Sequence, residues 1–204
     1  SVTVGFANSI GVTLIGTFLE TLLTVMVAYP LSKQRLPHKT FFTFFFVATM
    51  FFSAGLIPTY LNVKSFGLIN TYPALIVPKL INTFNMLICR NFFMSISPEI
   101  EESASIDGAN DITILFRLIA PISKPIIVTL LLWYGVANWN SYFDCLLYIT
   151  DSRKFALSVV LRNIITSGSN ERAAGDRNSI YNVELIRSSV IILSTVPILL
   201  VYPF

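Results

Sequence analysis

Charge is what this sequence has least of: only 12% of its 204 residues are Asp, Glu, Lys or Arg, against 54% hydrophobic. A water-soluble domain carries roughly twice that charged share, so much of the outer surface is expected to face lipid. Histidine is nearly absent. His38 stands alone, which excludes a His-rich metal site and a His-paired nucleophile. No Gly-x-x-x-x-Gly-Lys-Ser/Thr run occurs, so the chain has no phosphate-binding loop with which to hydrolyse ATP. No catalytic residue and no metal ligand set is expected. The net charge of +3 is too small and too scattered to suggest nucleic acid. Cys89 and Cys145 each lie in apolar sequence and read as small buried hydrophobes, with no disulfide inferred.

Hydrophobic runs are what it has in abundance. Crossing about 30 Å of hydrocarbon takes about 20 mostly apolar residues, and five stretches qualify. They are Ile10 to Leu31, Phe41 to Leu61, Tyr72 to Cys89, Pro125 to Ile149, and a last one from near Leu185 onward. The third is weakened by Pro73, Pro78 and Lys79, and the fourth is interrupted by Asn138, Asn140 and Asp144. Seventeen Phe and eight Tyr suit both the bilayer core and its interfaces. The fold class expected is all-α: a polytopic membrane protein forming one transmembrane domain over residues 1–204. The missing initiator Met and the apolar run at Phe204 suggest an excerpt, with a first span and a C-terminal tail outside it. Ser1 to Ser9 lacks the basic leader of a signal peptide.

The connections orient the spans. Ser32 to Thr40 carries Lys33, Arg35 and Lys39, while Asn62 to Thr71 carries Lys64 alone. The positive-inside rule therefore places Ser32 to Thr40 in the cytoplasm, and with it the long connection Arg90 to Lys124. Thr150 to Glu184 then lies outside, and its part Ser167 to Gly175, bearing Gly and Ser, suggests mobility.

Arg90 to Lys124 has a structure of its own. Ser97-Pro98-Glu99 is a helix start: a hydroxyl N-cap, proline at the first position, acids in the first turn. Ile100, Ala104 and Ile106 supply a small apolar side, and Gly108 is a left-handed stop. A second helix is expected from near Asn110 to Ile119, with Pro121 and Pro125 breaking the chain before the next span. An exposed two-helix loop between spans is either a solvated connector or a place where something docks.

The residues Glu102-Ser103-Ala104-Ser105-Ile106-Asp107-Gly108-Ala109, continuing to Phe116-Arg117 and Pro121, resemble the EAA motif of ABC importer permeases. That pattern reads Glu-Ala-Ala, three residues, Gly, nine residues, Ile, one residue, Leu-Pro. Glu102, Ala104, Gly108 and Pro121 match in register, while Ser103, Leu118 and Ala120 depart by small changes in size. Ala28-Tyr29-Pro30-Leu31-Ser32 and Gly67-Leu68-Ile69-Asn70-Thr71 are similar to the carbohydrate-uptake branch. Asn85-Met86-Leu87, Arg90-Asn91-Phe92-Phe93 and Trp139-Asn140-Ser141-Tyr142-Phe143 are similar to its poly- and oligosaccharide, alginate-type members.

The resemblance implies five transmembrane helices of a six-helix core plus a cytoplasmic coupling helix, in a bacterial inner membrane. It implies a second permease, an ABC ATPase dimer, an extracytoplasmic solute-binding protein and a sugar substrate as partners. No cofactor is expected on this chain; ATP and Mg would sit on the ATPase. Coupling would fall to Glu99, Ile100, Glu101, Glu102, Ala104, Asp107, Gly108 and Pro121. Ile100 and Ala104 would seat in an apolar cleft of the ATPase, and Glu101 and Glu102 would meet its basic rim. Polar groups in spans are costly and mark pathways or helix contacts. Asn82, Asn85, Trp139, Asn140, Tyr142 and Asp144 are thus pathway candidates or inter-helix contacts, and Glu20 and Lys79 face the partner permease or each other. The external loop would touch the binding protein. The rival readings are an ion-gradient transporter or channel, which would need inverted repeats not seen here, and a static docking scaffold.

Overall fold

The computed structural model describes residues 2–52, 54–163, 192 and 195. Every element among them is helical. The first helix, α1 (Val2–Ser32), has 31 residues and is by itself long and apolar enough to cross a membrane. Its inventory of Leu, Val, Ile and Phe without a single charge but Glu20 explains why it runs unbroken; Pro30 enters only in its last turn.

The other predicted spans are helical but broken. Phe41 to Leu61 appears as α2 (Lys39–Phe51) and α3 (Leu56–Ser65). The break contains Gly55 at φ 82, and Pro58 follows in the first turn of α3. Tyr72 to Cys89 appears as α4 (Pro73–Ile76), a 3-10 turn at Val77–Lys79, and α5 (Thr83–Met94). Pro78 cannot donate to the preceding turn, so the helix tightens and ends there. Pro125 to Ile149 appears as α9 (Lys124–Trp139) and α10 (Tyr142–Tyr148). Among the described residues, length and composition allow one span, or up to three if each bent pair is one. All of the predicted fifth span but residues 192 and 195, and the stretch Ser167 to Gly175, lie outside the described residues.

The chain forms two compact units. One comprises Ser1–Gly16, Ile57–Pro78 and Gly135–Phe204, and the other Thr17–Leu56 and Lys79–Tyr134. The first unit is laced by hydrogen bonds centred on Asn70 and Asn8. Asn70, in left-handed backbone at φ 62, donates its N–H to Tyr148 O (2.8 Å). Its side-chain oxygen accepts from the N–H groups of Asp151 (3.0 Å) and Thr150 (3.3 Å). Its carbonyl accepts from Lys154 Nζ at 2.7 Å. Asn8 donates to Arg153 O and Phe155 O, and accepts from the Tyr72 hydroxyl. Gly5 lets the helix starting at 157 approach closely, since a Cβ there would lie 3.0 Å from Val160 Cγ2. Within this unit α10 (Tyr142–Tyr148) begins after a break at Asn140 and Ser141, where the Asn140 amide donates to Val136 O.

The second unit has an apolar core joining Ala28, Tyr29, Met86, Cys89, Phe93, Ile114, Leu115, Ile119 and Leu130. The polar segment after α5 contributes to this core as fully as the spans do. Cys89 here, and Cys145 in the other unit, are buried free thiols.

Candidate coupling site

The segment between α5 and α9 is two short helices pinned to the unit that carries them. The first, α6 (Pro98–Ile106), has Pro98 at its start and Glu99 and Glu101 in its first turn. Ser97 makes no side-chain cap bond, unlike the sequence expectation; fixed proline geometry and the two acids carry the start. The C-terminus closes as a Schellman motif. Ala109 N–H donates to Ala104 O (3.0 Å) and Gly108 N–H to Ser105 O (3.1 Å), with Gly108 at φ 84. A residue with a Cβ is strained in that backbone.

The second helix begins at the cap residue Asn110, whose side chain accepts from Thr113 N–H at 2.8 Å. It runs through α7 (Asp111–Ile114), a π turn at Leu115–Ile119 and α8 (Ala120–Ile122). Pro121 therefore does not end the helix, as the sequence had suggested. The wide π turn relieves the missing donor and the ring's clash with the preceding carbonyls. The chain turns instead at the buried Ser123, bending by 86° into α9 (Lys124–Trp139).

Two charge pairs staple this segment to the short basic connection after α1. Lys33 pairs with Glu101, whose side chains are 15% and 17% exposed, and Arg35 pairs with Asp111, at 61% and 62%. Lys33 also sits 4.2 Å over the Tyr29 ring. Arg90 donates to Leu31 O (2.9 Å) and Lys39 to Ser32 O (3.1 Å). Cations thus satisfy carbonyls at the negative end of α1. Burial, with Arg90 and Lys33 nearby, pulls the Lys39 ammonium below its usual range. Two grooves flank these pairs. One, of about 410 Å³, is lined by Tyr29, Leu36, Ile112 and Phe116. The other, of about 450 Å³, is lined by Ser32, Phe93, Glu101, Glu102 and Ser105.

The helix phase redistributes the predicted coupling residues. Ala104 is 8% exposed and belongs to the unit's own core, and Glu101 is held by Lys33. Neither is presented outward to seat in a partner's cleft or meet its rim. Glu99, Ile100, Glu102, Asp107, Gly108 and Pro121 are exposed. Sequence reasoning missed Ile106, which is 86% exposed. It was grouped with Ala104, but two residues at about 100° each place them on opposite sides of a helix. That arithmetic was the available signal.

The pathway candidates fall in both units, Asn82 and Asn85 in the second and the rest in the first. Asn82 is exposed and caps α5 by accepting from Asn85 N–H (3.1 Å), while the Asn85 side chain is buried. Trp139 packs edge-on against Phe6, with ring centroids 6.0 Å apart. Tyr142 lies under Arg162 at 4.7 Å. Asn140 is spent on Val136 O, and Asp144 is half-buried. Glu20 is buried and Lys79 half-buried. Among the described residues no cluster of His, Cys, Asp or Glu is arranged to hold a metal ion.

Comparison with known proteins agrees with this architecture. Protein LplC of Bacillus subtilis (strain 168) is 43% identical over 198 residues, covering 96% of this chain and 67% of that one. The polygalacturonan/rhamnogalacturonan transport system permease protein YtcP of the same organism is 43% identical over 201 residues, covering 96% and 70%. Among solved structures, a bacterial ABC transporter involved in the import of the acidic polysaccharide alginate superposes with a TM-score of 0.90 at 34% identity, covering 98% of this chain and 72% of that one. The family model matches residues 20–167, the stretch holding α5, both stapled helices and the bend into α9. The chain belongs to the family of binding-protein-dependent transport system inner membrane components.

Proposed function

We propose that this chain is a permease subunit of a bacterial ATP-driven importer of an oligo- or polysaccharide, coupled to its ATPase through α6. The observation that supports this most is the division of α6 into two faces. Its inner face, Ala104 and Glu101, is fixed in the unit that holds the C-terminal half of α1, and its outer face, with Glu99, Glu102 and Ile106, is uncommitted. A partner gripping the outer face would move the helix, and the core and the Lys33–Glu101 pair would pass that displacement to the end of α1. Packed interiors transmit strain because they do not compress. Ile106 between Glu102 and Asp107 presents an apolar knob inside an acidic ring, suited to a cleft with a basic rim.

On this proposal the chain binds no cofactor. ATP and Mg belong to a dimer of ATPase subunits, and a second permease completes the path through the inner membrane. A solute-binding protein delivers sugar on the side of the 150–155 connection. The five-span count of a six-helix core is part of the proposal, with the broken helices of the described residues serving as spans. The saccharide class rests on the name of the relative YtcP and on the alginate importer. Among the pathway candidates the Asn82 and Asn140 amides are exposed, and that of Asn140 already donates to Val136 O; the Asn85 side chain is buried and serves helix packing.

The test is uptake into vesicles holding the complete importer. Glu102→Lys is expected to cut ATP-driven saccharide uptake at least about tenfold, since it places a cation against a basic rim. Undiminished uptake by that variant, or saccharide movement without ATP, would overturn the coupling role.

A further inference from the structure

The middle of the third predicted span is not helical. Between the 3-10 turn at Val77–Lys79 and α5, residues 80–82 form an open stretch, with Ile81 and Asn82 exposed. Irregular backbone at membrane depth persists only where other protein covers it or where it lines a water-filled cavity. Around this stretch the second unit collects groups that hydrocarbon does not call for. The Asn82 side-chain oxygen is taken by Asn85 N–H, which leaves the amide nitrogen as a donor. The Thr49 and Thr83 hydroxyls meet at 3.1 Å in an exposed hydrogen bond. One residue further, Phe84 of α5 stacks on Trp133 of α9, with centroids 6.3 Å apart and ring planes 27° from parallel. The two side chains remain 55% and 39% exposed, although α5 and α9 bury their other faces in the core.

An exposed pair of near-parallel rings, with the Thr83 hydroxyl one residue and the exposed Asn82 amide two residues before Phe84, is chemically amphipathic. A lipid tail would match the rings and leave the amide nitrogen of Asn82 without a partner. A pyranose ring matches both: its C–H face lies against an aromatic face, and its equatorial hydroxyls exchange hydrogen bonds with amides and hydroxyls. We propose that Phe84 and Trp133, with Asn82 at the start of the helix that carries Phe84, form a sugar-stacking subsite on the translocation path. It takes one ring of the saccharide as the chain passes. This rests on the saccharide-importer proposal above and assigns that importer a contact point. Stacking reads the face of a ring rather than its substituents, so the subsite holds successive residues of a polymer without fixing on one.

The experiment uses the complete importer in vesicles, with both permeases, the ATPase and the binding protein. A panel of labelled oligogalacturonides, alginate oligosaccharides and neutral oligosaccharides first identifies what the wild-type complex carries. If it carries none of them, the importer proposal falls and the subsite with it. With a carried saccharide in hand, Phe84→Leu and Trp133→Leu are each expected to lower uptake about tenfold, roughly the loss of one good ring contact. Phe84→Tyr and Trp133→Phe, which keep the aromatic faces, are expected to retain at least about half. Wild-type uptake by the leucine variants would overturn the subsite while leaving the importer standing. So would equal losses by the leucine and aromatic variants, the sign of a shape-filling contact with lipid or a partner helix. Should the leucine variants fail to assemble, a photoreactive derivative of the carried saccharide is cross-linked to the wild-type complex. Label on peptides containing Phe84 or Trp133 supports the subsite, and label confined elsewhere overturns it.

Discussion

The two units hold their loops by different chemistry. In the unit of Thr17–Leu56 and Lys79–Tyr134, the long polar segment is fastened by opposite charges and by an apolar core that includes Ala104, Ile114 and Leu115. In the other unit the 150–155 connection is fastened mainly by amide and backbone groups centred on Asn70 and Asn8, with the Lys154 ammonium on the Asn70 carbonyl and a local Arg153–Asp151 pair added to them. Neutral hydrogen bonds are directional and insensitive to salt, and they fix a loop in one geometry. Charge pairs at a membrane edge tolerate small displacements while keeping their partners, because Coulomb attraction falls off gradually. That contrast fits a segment that carries a load and a connection that holds a shape.

Reversing the half-buried pair is the strongest way to break the contrast. Lys33→Glu places two carboxylates together, and both it and Glu101→Lys are expected to cost about 2 kcal/mol of local stability. ATP-driven uptake should drop at least about tenfold. The double swap should recover a third or more of the wild-type rate, about what restored attraction allows in altered geometry. Failure of the swap to rescue would mean that Lys33 acts through packing on Tyr29 rather than through charge.

Asn70 tests the amide-fastened unit at comparable size. Asn70→Ala removes two side-chain acceptor bonds and leaves a Cβ residue at positive φ without compensation, at about 2 kcal/mol. Hydrogen exchange of the Thr150 and Asp151 amides should accelerate about 30-fold, unchanged by salt. Asn70→Gly, which tolerates the backbone but lacks the acceptor, should fall between wild type and alanine.

A smaller effect sharpens the comparison within the charged unit. Arg35 and Asp111 are mostly exposed, so Arg35→Ala should cost no more than about 1 kcal/mol. That cost should fade in roughly 1 M salt, where the Debye length is about 3 Å. A salt-resistant loss would show that the pair is desolvated in the assembled importer.

The smallest effect is a pH dependence in the amide-fastened unit. The Arg153 N–H, and then its guanidinium, hold the Asp151 carboxyl below its ordinary range. A depressed acid contributes order above the ordinary carboxylate pKa and loses it as pH falls through its folded value. Exchange of the Arg153 amide should therefore stay slow from neutral pH down to the ordinary carboxylate range, and quicken only in stronger acid.

Much of the charged unit was legible in the chain. Pro98, Gly108 and Asn110 are local signals, each acting on its own backbone within a turn, so α6, its stop and the start of α7 follow from neighbours in sequence. Other features were legible only in part. The π turn that carries the helix past Pro121 depends on Leu115 and Ile119 being drawn into a core built by distant residues. The outward position of Ile106 follows from helix phase, yet which side counts as outward was set by where Ala104 found its partners. The breaks at Gly55 and after Pro78 had visible causes in glycine and proline, whereas the stacking of Phe84 on Trp133 joins residues about 50 positions apart and left no trace in either segment.

Sequence by itself determined that this protein lives in lipid, that it is helical, and that Glu102 to Pro121 carries the importer motif. Those properties are set by composition and by interactions within a few residues, which persist whatever the rest of the chain does. Tertiary structure alone decided that Glu101 belongs to Lys33, that Ala104 is core rather than contact, and that Ile106 faces out. Such assignments depend on which surfaces meet across long chain separations, and burial against a particular neighbour is not written in any one segment.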